Sequence, residues 1–84
     1  MTTNHHEARC QIRAALAADN RRAEHWLAGL PWRVRACVRI VYLDGGTHRD
    51  AALRLNCSPA TVYRDLWAAR ERWMGYMSCD DMNS

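Results

Sequence analysis

The segment from Thr47 to Leu66, THRDAALRLNCSPATVYRDL, constrains the fold more than any other part of the chain. Thr47 is a good N-cap, and Asp50, three residues on, stands where the acid of a capping box returns the bond. One of Ala51 and Ala52, together with Leu55, gives a short helix its inner side, and Ala52 is small enough to let a second helix cross closely. Asn56 sits where the chain must pass through the left-handed region, and Asn is the best non-glycine residue for that. Ser58 and Pro59 then start the next helix twice over, one as N-cap and one as first helical residue. Val62, Leu66, Ala69 and Trp73 repeat at helical spacing and form its buried face. Two helices joined by a three-residue turn make a helix-turn-helix, the arrangement that lays its second helix in a DNA groove.

No segment alternates with the period of a strand. The predicted fold is therefore all-α, a small helical domain with this C-terminal helix-turn-helix preceded by a long N-terminal helix. Over residues 1–30, Asn4 and Glu7 have capping-box spacing, and Ala8, Ile12, Ala15, Leu16, Ala23, Trp26, Leu27 and Leu30 recur on one face. That stripe stays in phase through Asp19-Asn20, which favours one long helix packed on the core; a break at Asp19-Asn20 is the alternative. Gly29 ends this stretch and Pro31 prevents its continuation. A second helix is predicted from Pro31, in its first turn, to Leu43. Val34, Cys37, Val38 and Val41 face inward, Ile40 lies at the margin, and Arg33, Arg35 and Arg39 lie away from that stripe. Asp44-Gly45-Gly46 reads as a sharp reversal in which both glycines supply positive φ. The helix-turn-helix unit thus covers 31–77, with its last helix running from Pro59 to about Met77. Residues 78–84 read as a flexible acidic tail, all within one domain.

Composition narrows the function. A chain of 84 residues makes one domain with a thin core. All twelve of its basic residues are arginine, and the net charge is +3. The charge is uneven: from Pro31 to Trp73 eight arginines face four acids, which suits a nucleic-acid partner. No apolar run approaches the roughly 20 residues that span a bilayer, and the N-terminus lacks the pattern of a secretion signal. No membrane is expected as a partner, and the expected location is the cytoplasm. Cys10, Cys37, Cys57 and Cys79 are too irregularly spaced for a metal site, so they read as small buried hydrophobes or idle thiols, Cys79 being the exposed one. No nucleophile–base pairing or phosphate-cradling loop is visible, so neither an enzyme nor a cofactor is expected. Trp26, Trp32, Trp67 and Trp73 are many for so short a chain. They are expected to pack the first helix on the last; exposure of Trp32 or Trp67 would instead mark a partner surface.

On the last helix the buried stripe leaves Ala60, Thr61, Arg64, Trp67 or Ala68, and Glu71 outward, with Tyr63 on the flank. Residues nearest the N-terminus are those that reach base edges in this motif. Arg64 is the one strong base reader, suited to the two acceptors of guanine. Thr61 and Ala60 suit a thymine methyl, and Asp65 suits the cytosine amino group. Phosphate contacts are expected from the amides at the capped helix starts, Thr47 and Ser58, from His48, and from Arg39, Arg49 and Arg54. So sparse a set implies modest sequence discrimination. Two competing readings use the same fold: a protein-binding module, and the DNA-recognition part of a mobile-element or packaging protein.

Leu30-Pro31 opens a helix that Val41-Tyr42-Leu43-Asp44-Gly45 closes, and Ala51-Ala52-Leu53-Arg54-Leu55, Ser58-Pro59-Ala60-Thr61-Val62 and Leu66-Trp67-Ala68-Ala69-Arg70-Glu71-Arg72 come after it. In this order and spacing the stretch from Leu30 to Trp73 resembles region 4 of bacterial sigma factors, particularly the small extracytoplasmic-function class. The resemblance covers about half the chain. It implies a domain that grips promoter-like DNA and often touches the flap of RNA polymerase. Region 2, which melts the promoter in a sigma factor, has no counterpart here, so a complete sigma factor is not expected. The Gly45-Gly46-Thr47 turn, the Ser58 to Tyr63 cap and the small size are more similar to phage late-gene antiterminators of the Q type. That resemblance implies binding near a promoter and loading onto paused polymerase to suppress termination, with Thr61, Tyr63 and Arg64 as DNA contacts. The expected partners are double-stranded DNA and RNA polymerase, in a bacterial or phage-infected cell, and a homodimer stays open. The first thirty residues match neither family and would carry any polymerase-modifying role.

Overall fold

A computed structural model describes residues 5–18 and 20–82, with side chains described as far as Met77. The elements are α1 (His5–Ala17), α2 (Arg21–Ala28), α3 (Trp32–Val38) running into a wider π-turn (Arg39–Leu43), α4 (His48–Leu55) and α5 (Pro59–Met82). Among the described residues there is no strand, and the fold is all-α. The 24 residues of α5 make a rod about 36 Å long at the α-helical rise, which sets the 41 Å long axis of the molecule. Against this rod pack α1, α3 and α4. Its inner side is the expected one: Val62, Leu66, Ala69 and Trp73 are all buried.

The N-terminal stretch departs from the expected single helix. Asn20 Oδ1 accepts the backbone N–H groups of Arg22 at 2.9 Å and Ala23 at 3.3 Å, which caps a separate α2. The alternative break is therefore the one adopted. A single straight helix of some 25 residues would run about 37 Å and carry half of its apolar stripe past the core; the break folds that half back. Ala23, Trp26 and Leu27 are thereby buried, and Trp26 meets Trp73 edge to face, ring centroids 5.0 Å apart. Trp67, 43% exposed, also meets the first helix through the His5 ring, whereas Trp32 stays 66% exposed.

Pro31 precedes α3 in an extended conformation (φ −53°, ψ 147°), as its cap and not in its first turn. After Val38 the bonding widens to five residues, with the Asp44 N–H on Arg39 O at 2.9 Å. One extra residue in the turn rotates the later side chains about the helix axis, so Tyr42 is buried while Val41, expected inside, is half-buried. The reversal needs its two glycines for different reasons. Gly45 takes the positive φ of 75°; Gly46 does not, but a Cβ there would come within 2.9 Å of Ile40 Cγ2.

The helix-turn-helix forms as its residues demand. Thr47 and Asp50 make both bonds of a capping box, and Asn56 adopts the left-handed conformation at φ 54° and ψ 49°. Ser58 Oγ accepts the Thr61 N–H at 3.2 Å to start α5. That helix runs on through Met82, so residues 78–82, expected in a tail, continue it. The expected Asn4 cap, the exposure of Cys79, the side chains of Asp80 and Asp81, and residues 83–84 lie outside the described residues and side chains. Cys37 is buried, which pushes its thiol pKa up to about 11, whereas Cys57 is half-buried and Cys10 exposed. Among the described residues no group of His, Cys, Asp and Glu is placed to hold a metal, and no helix is long and apolar enough to cross a membrane.

Candidate nucleic-acid interface

The first two turns of α5 present Ala60, Tyr63 and Arg64 to solvent, with Thr61 half-buried beside them and Ala68 exposed in the third turn. Arg64 makes no hydrogen bond or ion pair among the described residues, so its guanidinium is available to a ligand. Thr61 Oγ1 lies 3.1 Å from Ser58 Oγ, which engages its hydroxyl in the cap.

Asp65 does not belong to this surface, contrary to its expected role at cytosine. It falls on the inner side of α5 between Val62 and Leu66, 8% exposed, and takes two bonds from Arg33: Nε to Oδ2 at 2.7 Å and a second nitrogen to Oδ1 at 3.3 Å. The bonds and the charge of Asp65 raise the Arg33 pKa further above its ordinary value. Arg33 lies away from the core stripe as expected, exposed, and reaches the carboxylate from the rim. The outward side of α5 consequently carries no acid from Pro59 until Glu71.

At the two helix starts the supply of free amides is smaller than the caps suggest. The Thr47 N–H is already donated to Asp50 Oδ2 at 3.0 Å, and the Asp50 N–H to Thr47 Oγ1 at 3.1 Å. Those bonds hold the Asp50 carboxyl below its ordinary pKa. The amides of His48 and Arg49 are left at α4. At α5, Pro59 has no N–H and Thr61 is capped, which leaves the Ala60 amide.

Around these starts the exposed His48 ring stands edge-on to Tyr63, centroids 6.1 Å apart. Arg39 and Arg49 are exposed, and Arg54 lies 3.9 Å from Asp44, too far for more than a loose pair. The structure therefore gathers His48, Ser58, Thr61 and Tyr63 through contacts, with Ala60 and Arg64 on the same two turns. No hydrogen bond, ion pair or ring contact among the described residues joins Arg39 to that group.

Sequence reasoning missed a second cluster immediately beside it. Arg70 is 9% exposed; one guanidinium nitrogen donates to Tyr42 Oη at 2.8 Å, and Nε donates to His5 Nδ1 at 3.0 Å. Because His5 Nδ1 accepts, its proton sits on Nε2, which donates to Glu71 Oε1 at 3.0 Å. The His5 ring stacks on Trp67 at 3.5 Å, and the Arg70 guanidinium lies 5.6 Å from the centre of that same ring. Residues 65 positions apart meet here, and no local pattern announces such a pairing.

No curated protein and no solved structure matches the chain. The family model described as Sigma-70, region 4 matches residues 21–72. The match takes in α2 through most of α5, starting ahead of Leu30, where the resemblance in the sequence begins, and it leaves α1 outside. With well over half its length matched and the capped helix-turn-helix in place, the chain belongs to the Sigma-70 region 4 family, non-enzymatic DNA-binding domains typically concerned with transcription.

Proposed function

We propose that the protein is a DNA-binding transcription regulator that reads duplex DNA with the first two turns of α5. The observation that carries this reading is the exposed Arg64, unpaired among the described residues, beside Ala60 and Thr61 on a surface from which Asp65 has been withdrawn. In this reading Arg64 contacts guanine, and Ala60 and the Thr61 methyl contact thymine. Tyr63, His48, Arg49 and Arg39, with the helix starts at Thr47 and Ser58, position the duplex through its phosphates. The likeness of the Gly45 to Thr47 turn and the Ser58 to Tyr63 cap to phage Q-type antiterminators supports a finer version. In that version the protein is phage-derived, binds near a promoter in the cytoplasm and engages paused RNA polymerase.

A second reading, a module that modifies polymerase or another regulator without reading DNA, is favoured by the exposure of Trp32 at 66% and Leu53 at 76%. Selection of sites from a random duplex library at two salt concentrations, with Arg64→Ala alongside, separates the two. The DNA reading expects a short enriched motif that blurs at one position in the variant, for a loss of about 1–3 kcal/mol. Half-sites about one helical turn apart in that motif would identify a dimer. No enrichment at low salt would favour the protein-binding reading and make RNA polymerase the next partner tested.

A further inference from the structure

A cleft of about 270 Å³ opens beside the recognition helix, between the start of α1, the π-turn, α4 and α5. On one side it is walled by His48 and Tyr63, both of them residues of the proposed DNA interface, with Trp67 one turn further along α5. A duplex strand resting on His48 and Tyr63, as the DNA-binding reading has it, would touch two residues of its lining. The opposite wall is α1, which lies outside the family match and contributes His6 and Arg9, both exposed. Arg9 makes no hydrogen bond or ion pair among the described residues.

The chemistry of the cleft is one-sided. No carboxylate lines it, and Glu71, which contacts the lining His5, is held by its Nε2. At its inner end the guanidinium of Arg70 is bonded to a phenol and an imidazole, neither of which cancels its charge. Glu71 reaches this cation only through the His5 ring, and a buried cation with no carboxylate bonded to it directly projects more potential than one in water. The Arg9 guanidinium, the His6 and His48 imidazoles, the Tyr63 phenol and the Trp67 indole can all donate hydrogens, the complement of phosphate oxygens. The wall that brings Arg9 is also held in place: His5 stacks on Trp67, and Gln11 Oε1, further along α1, accepts from Trp73 Nε1 at 3.0 Å.

We propose that this cleft seats a phosphodiester of the duplex that α5 reads, so that α1 extends the DNA footprint beyond the helix-turn-helix. The inference rests on the DNA-binding reading above. Its test measures affinity of the full chain for the selected duplex and for a scrambled one over a series of salt concentrations, with Arg9→Gln and Arg13→Gln. Arg13 is exposed on the same helix, one turn on, and does not line the cleft. Melting curves confirm that both variants are folded.

The expected result is that Arg9→Gln lowers the slope of log K against log salt by about 0.9 and weakens both duplexes by the same factor, while Arg13→Gln keeps the wild-type slope. A wild-type slope in Arg9→Gln, or an equal change in Arg13→Gln, overturns the inference and leaves the DNA reading standing. Absence of duplex binding by the wild type at low salt overturns both.

Discussion

Arg33 grips Asp65 through two hydrogen bonds, at 2.7 and 3.3 Å, and so ties the start of α3 to the inner side of α5. The two ends are unequally buried, with the Asp65 side chain 11% exposed and that of Arg33 46%. Removing the arginine leaves a buried carboxylate without a cation, whereas removing the acid's charge releases a guanidinium that water can solvate. Arg33→Ala should therefore lower the melting temperature more than Asp65→Asn does. Adding Asp65→Asn to Arg33→Ala should restore part of the loss. Thermal melts of the four proteins check this, and a double variant no more stable than Arg33→Ala would contradict it.

Leu66 is fully buried on the side of α5 that faces the rest of the fold. Truncation to alanine leaves a cavity that a thin core closes poorly, and should cost about 2–5 kcal/mol in urea unfolding. An unchanged midpoint would remove Leu66 from the core.

Asp50 is a carboxylate whose pKa is lowered by the bonds it makes with Thr47. A group depressed in the folded state stabilises the fold above its unfolded pKa, about 3.9, and the contribution is lost as pH falls through the lower folded value. The difference in melting temperature between wild type and Asp50→Ala should thus be largest near neutrality and shrink steadily in acid. A gap that stays constant from pH 7 to pH 2 would assign the effect of the substitution to something other than the ionised cap.

How legible each element was depends on how far apart its determinants lie. The α4 and α5 starts and the turn between them were readable because their determinants sit within three residues: Thr47 with Asp50, Ser58 with Thr61, and Asn56 alone. The inner side of α5 followed from helical periodicity. The break at Asn20 was only an alternative, because a stripe that stays in phase fits one helix or two, and the need to fold α2 back onto Trp73 exists only in three dimensions. Val41 gave way to Tyr42 because one π-turn shifts every later residue around the axis, a change that periodicity assumes away.

The sequence by itself determined the all-α fold, the capped helix-turn-helix and which side of α5 is buried, since each depends on bonds and spacings within one or two helical turns. Tertiary structure alone decided the electrostatics of the surface. It turned Asp65 inward onto Arg33, 32 residues away, and brought His5 against Arg70 and Trp67 across more than 60. Charges interact through space and are strengthened by burial, so their effect depends on which helices pack together and not on the order in which the residues are written.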